Sequence, residues 1–191
     1  MNEELLKPIY RAVLDLLSKK PNSIIAIDGR CGSGKTTLAM KLKENLNCNV
    51  IHTDHFFLQP EQRTDERYSE PGGNIDYERF YSEVLIPLEI NLDFSYTPFD
   101  CKTQKQGSPV FIKNNKITII EGTYSCHPNF NEHLDLKIFV DIDEETQMKR
   151  IISRNGNDEA LVFKKKWIPL EELYFSAFNI KENCNICCNV I

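Results

Sequence analysis

The chain has 191 residues, of which 41% are hydrophobic and 27% are charged. These values are typical of a globular domain and exclude a disordered chain, a fibrous chain and a miniature disulfide scaffold. The net charge of −5 argues against a general nucleic-acid binder or a membrane-surface protein, since both need a basic face. No apolar run approaches the roughly 18 residues of a membrane helix. We therefore expect a soluble protein with neither nucleic acid nor membrane as a partner.

The start of the chain and its cysteines indicate the compartment. Met1-Asn2-Glu3-Glu4 is acidic where an export signal would be basic, so we expect no removed leader and a cytoplasmic protein. The seven cysteines are an odd number, which indicates reduced thiols. Cys184, Cys187 and Cys188 could suggest zinc, but no second pair stands at finger spacing. We prefer to interpret residues 186–191 as a buried terminal strand.

Apolar periodicity predicts alternating helices and strands. Residues 3–18 carry apolar side chains at spacings of three and four, which is typical of an amphipathic helix that Pro8 either kinks or begins. The predicted strands are 24–27, 50–52, 116–120, 136–141 and 186–191. The further predicted helices are 35–45, 77–89, 143–154 and 171–178. This order predicts an α/β protein with a five-stranded parallel sheet and helices on both faces.

Two stretches interrupt the alternation. Residues 56–76 are polar and rich in proline and glycine, and a loop of this length in a compact domain is usually functional. Residues 94–113 predict a hairpin insertion, with Gly107-Ser108-Pro109 near its turn or second strand. No repeat or linker divides the sequence, so we expect a single domain over residues 1–191.

A glycine-rich motif lies between the first predicted strand and the second predicted helix. Gly29 to Thr36 fits G-x-x-x-x-G-K-[ST] at every position. Glycines let backbone N–H groups point at phosphate oxygens, and the helix that follows adds its positive end. Lys35 should reach the β- and γ-phosphates and the Thr36 hydroxyl should ligate Mg²⁺. The predicted nucleotide-binding residues are Gly29, Arg30, Cys31, Gly32, Ser33, Gly34, Lys35, Thr36 and Thr37.

Two carboxylates follow the second and third predicted strands. In doubly wound sheets the ligand binds at the carboxyl ends of the strands, so Asp54 and Glu121 should both face the glycine-rich loop. A kinase needs one carboxylate to accept the proton of the acceptor hydroxyl and others to hold Mg²⁺. Asp54 suits the first role and Glu121 the second, and with Thr36 both are candidate metal ligands. The alternative for Asp54 is a cap on the following turn.

With these residues the chain resembles the uridine kinase family of P-loop phosphotransferases. The resemblance rests on residues 29–37, 53–57, 73–77, 121–124 and 140–143, the last leading into a helix that bears Arg150 and Arg154. It implies a P-loop NTPase fold with Asp54 as general base and Asp76 as a ligand of ribose hydroxyls. It also implies that Arg150 and Arg154 belong to a lid, over about 150–166, that closes on the phosphates.

The resemblance implies ATP- and Mg²⁺-dependent transfer of the γ-phosphoryl group to a hydroxyl of a small, nucleoside-like acceptor. Catalysis by Lys35, Asp54, Arg150 and Arg154 would be mostly positioning and electrostatics. Glu121 would also lie beside the substrate. Two alternatives stay open: a P-loop kinase for another small metabolite alcohol, and a nucleotide-binding module without catalysis. The donor, ATP or GTP, and assembly into a homo-oligomer also stay open.

The sequence departs from the family at the acceptor and at the lid. Uridine kinases read the pyrimidine with an aromatic residue and a histidine on the hairpin. Here the hairpin offers Tyr96, as a candidate substrate-binding residue, and Phe99, but no histidine. The lid is poorer in arginine, and 164–166 is either a lysine substitute or a solvated lysine run. His127 and His133 have no matched role.

Overall fold

The computed structural model describes residues 3–190, so the expectations for Met1, Asn2 and Ile191 lie outside the described residues. The helices are α1 (Glu3–Lys19), α2 (Lys35–Leu46), α3 (Asp65–Ser69), α4 (Tyr77–Phe80), α5 (Ile86–Glu89), α6 (Glu144–Asn155), α7 (Asn157–Val162) and α8 (Ile168–Ala177). The strands are β1 (Ser23–Gly29), β2 (Asn49–His52), β3 (Phe94–Tyr96), β4 (Phe99–Asp100), β5 (Lys105–Gln106), β6 (Val110–Ile112), β7 (Ile117–Glu121), β8 (Leu136–Asp141) and β9 (Ile186–Asn189). No helix within the described part of the chain is long and apolar enough to cross a membrane.

Five strands form the predicted parallel sheet, in the order β2-β7-β1-β8-β9. Successive side chains of a strand point to opposite faces, and here both faces are buried. Ile24 and Ala26 of β1 join one apolar cluster, which includes Phe80 and Tyr174. Ile25 and Ile27 join a second cluster, to which α1 and α2 contribute. The α/β fold with helices on both faces is thus confirmed.

The helix over residues 77–89 is continuous but not uniform. It is α-helical in α4 and α5 and π-helical over Tyr81–Leu85. A second π-helical segment, Phe163–Trp167, joins α7 to α8. Each π segment ends two residues before a proline, Pro87 or Pro169. Proline lacks an N–H group and clashes with the carbonyl four residues earlier, and the wider π turn accommodates both effects.

Two other predicted elements differ in detail. Helix α1 runs through Pro8, so Pro8 does not begin it. The 56–76 stretch is not a plain loop, because it contains α3 and a 3₁₀ turn over Pro60–Gln62. Within the hairpin, β3 pairs with β6 and β4 with β5, and Gly107-Ser108-Pro109 lies directly before β6, the second strand of the outer pair, as predicted.

Candidate functional site

The glycine-rich loop leaves β1 and enters α2 at the carboxyl edge of the sheet. Gly29 has φ +136°, and a Cβ there would lie 2.0 Å from the Val140 carbonyl oxygen of β8, so only glycine fits. Lys35 is buried, and its ammonium donates to the carbonyl oxygens of Gly29 at 2.7 Å and Arg30 at 2.9 Å. Ser33 Oγ is buried and has no hydrogen-bond partner among residues 3–190. A buried cation and an unpaired hydroxyl in one loop suit a phosphate ligand.

The side chains of Arg30 and Cys31 serve the structure of the loop. The Arg30 guanidinium binds Glu172 at 2.6 Å and Asp141 at 2.7 Å. Cys31 Sγ accepts from the Gln147 amide at 3.3 Å, and burial raises the pKa of this thiol to about 12. With these side chains occupied, the two residues could offer a nucleotide only their backbone groups.

Thr36 and Glu121 meet at the predicted position between α2 and β7. The Thr36 hydroxyl donates to the Glu121 carboxylate at 3.1 Å. Nδ1 of His52, the last residue of β2, forms a short hydrogen bond with Glu121 as well. This bond raises the pKa of His52. The structure thus places a hydroxyl and a buried carboxylate side by side at the start of α2.

Asp54 lies in the 3₁₀ turn Thr53–Phe56 directly after β2. Its carboxylate forms no hydrogen bond with any residue between 3 and 190, so the turn receives no cap from it. Desolvation by the surrounding protein raises the pKa of this carboxyl, and Glu121 adds to the rise. Lys35 and Arg154 act in the opposite direction. Asp54 is therefore a free proton acceptor within the electrostatic reach of Lys35 and Glu121.

Gly122 brings Asp54 close to the end of β7. The glycine has φ +131°, and a Cβ there would lie 2.0 Å from Thr53 Oγ1 and 3.3 Å from Asp54 Oδ1. Thr53 in turn donates to the Thr123 carbonyl at 3.0 Å. The segments after β2 and after β7 therefore touch, which is why the two predicted carboxylates, Asp54 and Glu121, lie close enough to interact electrostatically.

The two residues predicted to bind the acceptor substrate, Asp76 and Tyr96, already form hydrogen bonds within the protein. Asp76 caps α4 by accepting from the Arg79 N–H at 3.0 Å, and it also accepts from the Gln62 amide at 2.8 Å. It borders a cavity of about 340 Å³ lined by Leu58, Gln62, Thr64, Arg67, Asp76 and Glu78. The Tyr96 side chain is only 2% exposed, and its hydroxyl bonds His55 Nδ1 at 3.0 Å. Its ring therefore presents no open face for a base to stack on.

The candidate lid residues differ in their contacts. Arg150 donates to the Gly32 carbonyl at 3.2 Å and so supports the glycine-rich loop. Arg154 is exposed, donates to its neighbour Asn155 at 2.7 Å and lies 5.9 Å from the Phe163 ring centroid. It is also near enough to Asp54 to lower the pKa of that carboxyl. Within the lysine triplet, the Lys166 ammonium lies 4.3 Å from the Tyr68 ring centroid and 4.6 Å from that of Trp167. Lys166 therefore joins the two aromatic side chains and is not a purely solvated lysine.

The role of Asp28 was not predicted from the sequence. Asp28, the residue before Gly29, is fully buried and accepts from the backbone N–H groups of Tyr124 at 3.2 Å and Cys126 at 2.9 Å. It also accepts from the Tyr174 hydroxyl of α8 at 2.8 Å. An acidic residue inside an apolar strand run is the signal that could have indicated this role, because a buried carboxylate requires several donors.

His127 and His133 contact residues outside the candidate site. The His127 ring stacks on Tyr77 with centroids 4.8 Å apart, and its Nδ1 accepts from the Asn129 N–H. Burial, aided by Arg67, lowers the pKa of His127 to about 4. His133 lies 3.8 Å from Glu89. Neither histidine contacts Asp54 or Glu121.

The C-terminal cysteines do not converge. Cys187 is exposed and Cys188 is buried, as expected for neighbours on a strand. Cys184 Sγ lies 3.9 Å from Cys126 Sγ. Within residues 3–190 no group of three or more His, Cys, Asp or Glu side chains could hold a metal ion by itself.

A strand, a glycine-rich loop and a helix at the carboxyl edge of a parallel sheet, with carboxylates at the ends of two neighbouring strands, define the P-loop nucleotide-binding class. Comparisons with known proteins give the family. Residues 24–159 match the model of the Phosphoribulokinase / Uridine kinase family. That match covers most of the chain, which therefore belongs to this family.

Individual relatives support the assignment to this family. A uridine kinase of Alkaliphilus metalliredigens is 31% identical over 140 residues, which cover 69% of this chain and 67% of that protein. A uridine kinase of Saccharomyces cerevisiae is 30% identical over 154 residues, 69% of this chain but only 28% of the yeast protein. A structure from Bacillus stearothermophilus, described as a possible uridine kinase, is similar with a TM-score of 0.73 at 17% identity, covering 97% of this chain and 98% of that one. The last comparison shows the shared fold.

Proposed function

We propose that this protein is an ATP-dependent phosphotransferase that moves the γ-phosphoryl group to a hydroxyl of a small, nucleoside-like acceptor. One observation carries the proposal: Asp54, without a hydrogen-bond partner among the described residues, lies beside the Thr36–Glu121 pair and within the electrostatic reach of Lys35. A proton acceptor, a cation and metal-type oxygen ligands are the groups that phosphoryl transfer needs. Membership of the family supports the same reaction.

The side chains of Thr36, Asp54 and Glu121 suit Mg²⁺. Magnesium at kinase sites is held by one or two carboxylates together with substrate phosphates, so Thr36, Asp54 and Glu121 are a sufficient set of hard oxygen ligands. Bound there, the ion would neutralise charge on the β- and γ-phosphates. No other residue is assigned to it.

In this mechanism the chain's own groups position the phosphates and stabilise the charge that develops on the transferring group. Backbone N–H groups of the glycine-rich loop hold the phosphates, and Lys35 exchanges its carbonyl contacts for phosphate oxygens. Asp54 accepts the proton of the acceptor hydroxyl. Arg154, on the segment 150–166 that we propose as the lid, faces the charge that develops on the transferring group.

The acceptor is the finer part of the proposal. Asp76 and the cavity beside it suit a sugar with two adjacent hydroxyls, provided that Gln62 yields its bond to the carboxylate. The occupied state of Asp76 and the buried ring of Tyr96 instead favour the second candidate, a kinase for another small alcohol.

An ADP-release screen decides between these candidates. The protein is incubated with ATP, Mg²⁺ and a panel of nucleosides, 2′-deoxynucleosides and small alcohols. A ribose site should distinguish uridine from cytidine by less than tenfold in kcat/KM and disfavour the 2′-deoxy forms by more than about tenfold. Activity on a non-ribose alcohol alone would establish the second candidate, and silence with every acceptor would favour a nucleotide-binding module.

A further inference from the structure

Helix α8 contacts the end of β1 and the start of the glycine-rich loop through three side chains. The pairs are Tyr174 with Asp28 at 2.8 Å, Glu172 with the Arg30 guanidinium at 2.6 Å, and Glu171 Oε2 with the Cys31 N–H at 3.0 Å. The first two pairs join side chains. The third differs because a carboxylate accepts from a backbone N–H group of the very loop that is proposed to hold phosphate.

Glu171 is buried among groups of mixed charge. Its side chain is 6% exposed, and the groups that face it are Lys35 of α2, Asp28 of β1, Cys31 of the loop, and Thr123 and Tyr124 of the segment after β7. Burial outweighs the attraction of Lys35 and raises the pKa of Glu171 to about 7. Near neutral pH this carboxyl therefore exists in both protonation states.

A nucleotide at the loop changes this balance. Its phosphates bring several negative charges to the same backbone, and nearby negative charge favours the neutral form of a carboxyl. Resting on the function proposed above, we propose that Glu171 is a positioning residue that holds the loop through the Cys31 N–H and takes up one proton as the phosphates bind. The proton comes from water or buffer. The neutral carboxyl keeps an oxygen that can accept from Cys31.

Calorimetry measures this proton directly. MgATP is titrated into the protein at pH 8.0 in two buffers of different ionisation enthalpy, and the dependence of the binding enthalpy on the buffer gives the number of protons taken up. At this pH the nucleotide is itself fully ionised, since its phosphates titrate at about pH 6. We expect wild type to take up about 0.9 proton more than Glu171→Gln, which is the ionised fraction at pH 8 of a group with a pKa of about 7.

The neighbouring variant Glu172→Gln is the matched control and should keep the proton uptake, because that carboxylate is paired with Arg30. The dissociation constant of wild type should also rise about fivefold from pH 7 to pH 8, and that of Glu171→Gln should not. Both effects separate proton uptake from a purely structural role of Glu171.

MgATP binding with equal proton uptake by wild type and Glu171→Gln would overturn this inference and leave the proposed function standing. If Glu171→Gln does not fold, wild type alone decides, because an enthalpy that is the same in both buffers also overturns it. A folded wild type that binds no MgATP would overturn the proposed function and this inference together.

Discussion

Asp54 and Asp143 both follow a strand of the sheet, yet their surroundings differ. Asp143 Oδ1 accepts from the Thr146 N–H at 2.8 Å and caps α6, whereas Asp54 bonds none of residues 3–190. Asp54→Asn should therefore lower turnover by about 10²- to 10⁴-fold without lowering the melting temperature, because a raised pKa means that the ionised carboxylate does not stabilise the fold. Asp143→Ala should cost about 1 kcal/mol of stability and leave turnover unchanged. Steady-state kinetics and thermal melts check both, and a stability loss without a turnover loss in Asp54→Asn would refute the base assignment.

His127 makes the stability of the fold depend on pH. Its pKa in the folded protein is about 4, below the ordinary value of 6.5, so the unfolded chain binds its proton first as the pH falls. The stabilisation is fully present above pH 6.5 and is lost as the pH approaches 4. Urea unfolding should show a contribution of about 2 kcal/mol lost between pH 7.5 and pH 5. In His127→Gln this part of the slope should disappear; an unchanged slope would show that other groups cause it.

Individual residues were predictable where a motif or a strand end fixes their position. The glycine-rich motif and the position of Glu121 at a strand end suffice to predict that Thr36 and Glu121 lie together. Asp76 and Tyr96 were not predictable in the same way, because their partners Gln62 and His55 lie 14 and 41 residues away in short 3₁₀ turns. Periodicity gives no information about contacts between such segments.

At the scale of elements, the junction between the segments after β2 and β7 depends on Gly122. A Cβ at this position would overlap Thr53 Oγ1, whose hydroxyl is already bonded to carbonyls of the other segment. Gly122→Ala should cost at least about 2 kcal/mol through overpacking and backbone strain. Gly156→Ala is the control: its φ is +84° but no atom lies within 4 Å of the added Cβ, so only strain is introduced. Denaturant unfolding should show the larger loss for Gly122→Ala, and equal losses would contradict the overlap.

The arginines of α6 should separate binding from chemistry. Arg154→Ala should lower kcat by more than it raises the dissociation constant of MgATP, because this exposed side chain is free to meet charge in the transition state. Arg150→Ala should weaken MgATP binding as well, since Arg150 holds the Gly32 carbonyl. Equilibrium titration and single-turnover kinetics distinguish the two effects. An unchanged kcat in Arg154→Ala would show that this residue is a solvated side chain of the helix without a role in catalysis.

Element boundaries show where sequence patterns lose information. The strands of the sheet were predicted because buried runs of Ile and Val are long enough to recognise. The two π-helical segments were not, because a π turn keeps a helical apolar pattern and only the proline that follows indicates it. Helix α3 was missed because it is short and polar throughout.

At the scale of the whole molecule, two apolar clusters sandwich the sheet, and the candidate site lies at one edge of it. The fold class was predictable from the alternation of elements alone, since only a parallel sheet satisfies it with short connections. The acceptor was not, because it depends on how the 56–76 stretch and the hairpin pack beside the sheet. Family membership fixes the scaffold, and the acceptor has to be measured.

The most direct test follows the phosphoryl group itself. ATP labelled at the γ-phosphate is incubated with Mg²⁺, a mixture of nucleosides and the protein, and the products are separated by chromatography. Wild type should move the label onto a nucleoside, and a folded Lys35→Ala protein should not, because the buried ammonium of the glycine-rich loop is lost. Equal transfer by Lys35→Ala would contradict the role of this lysine. Label that stays in ATP and inorganic phosphate despite MgATP binding would contradict the proposal that this chain phosphorylates a nucleoside-like acceptor.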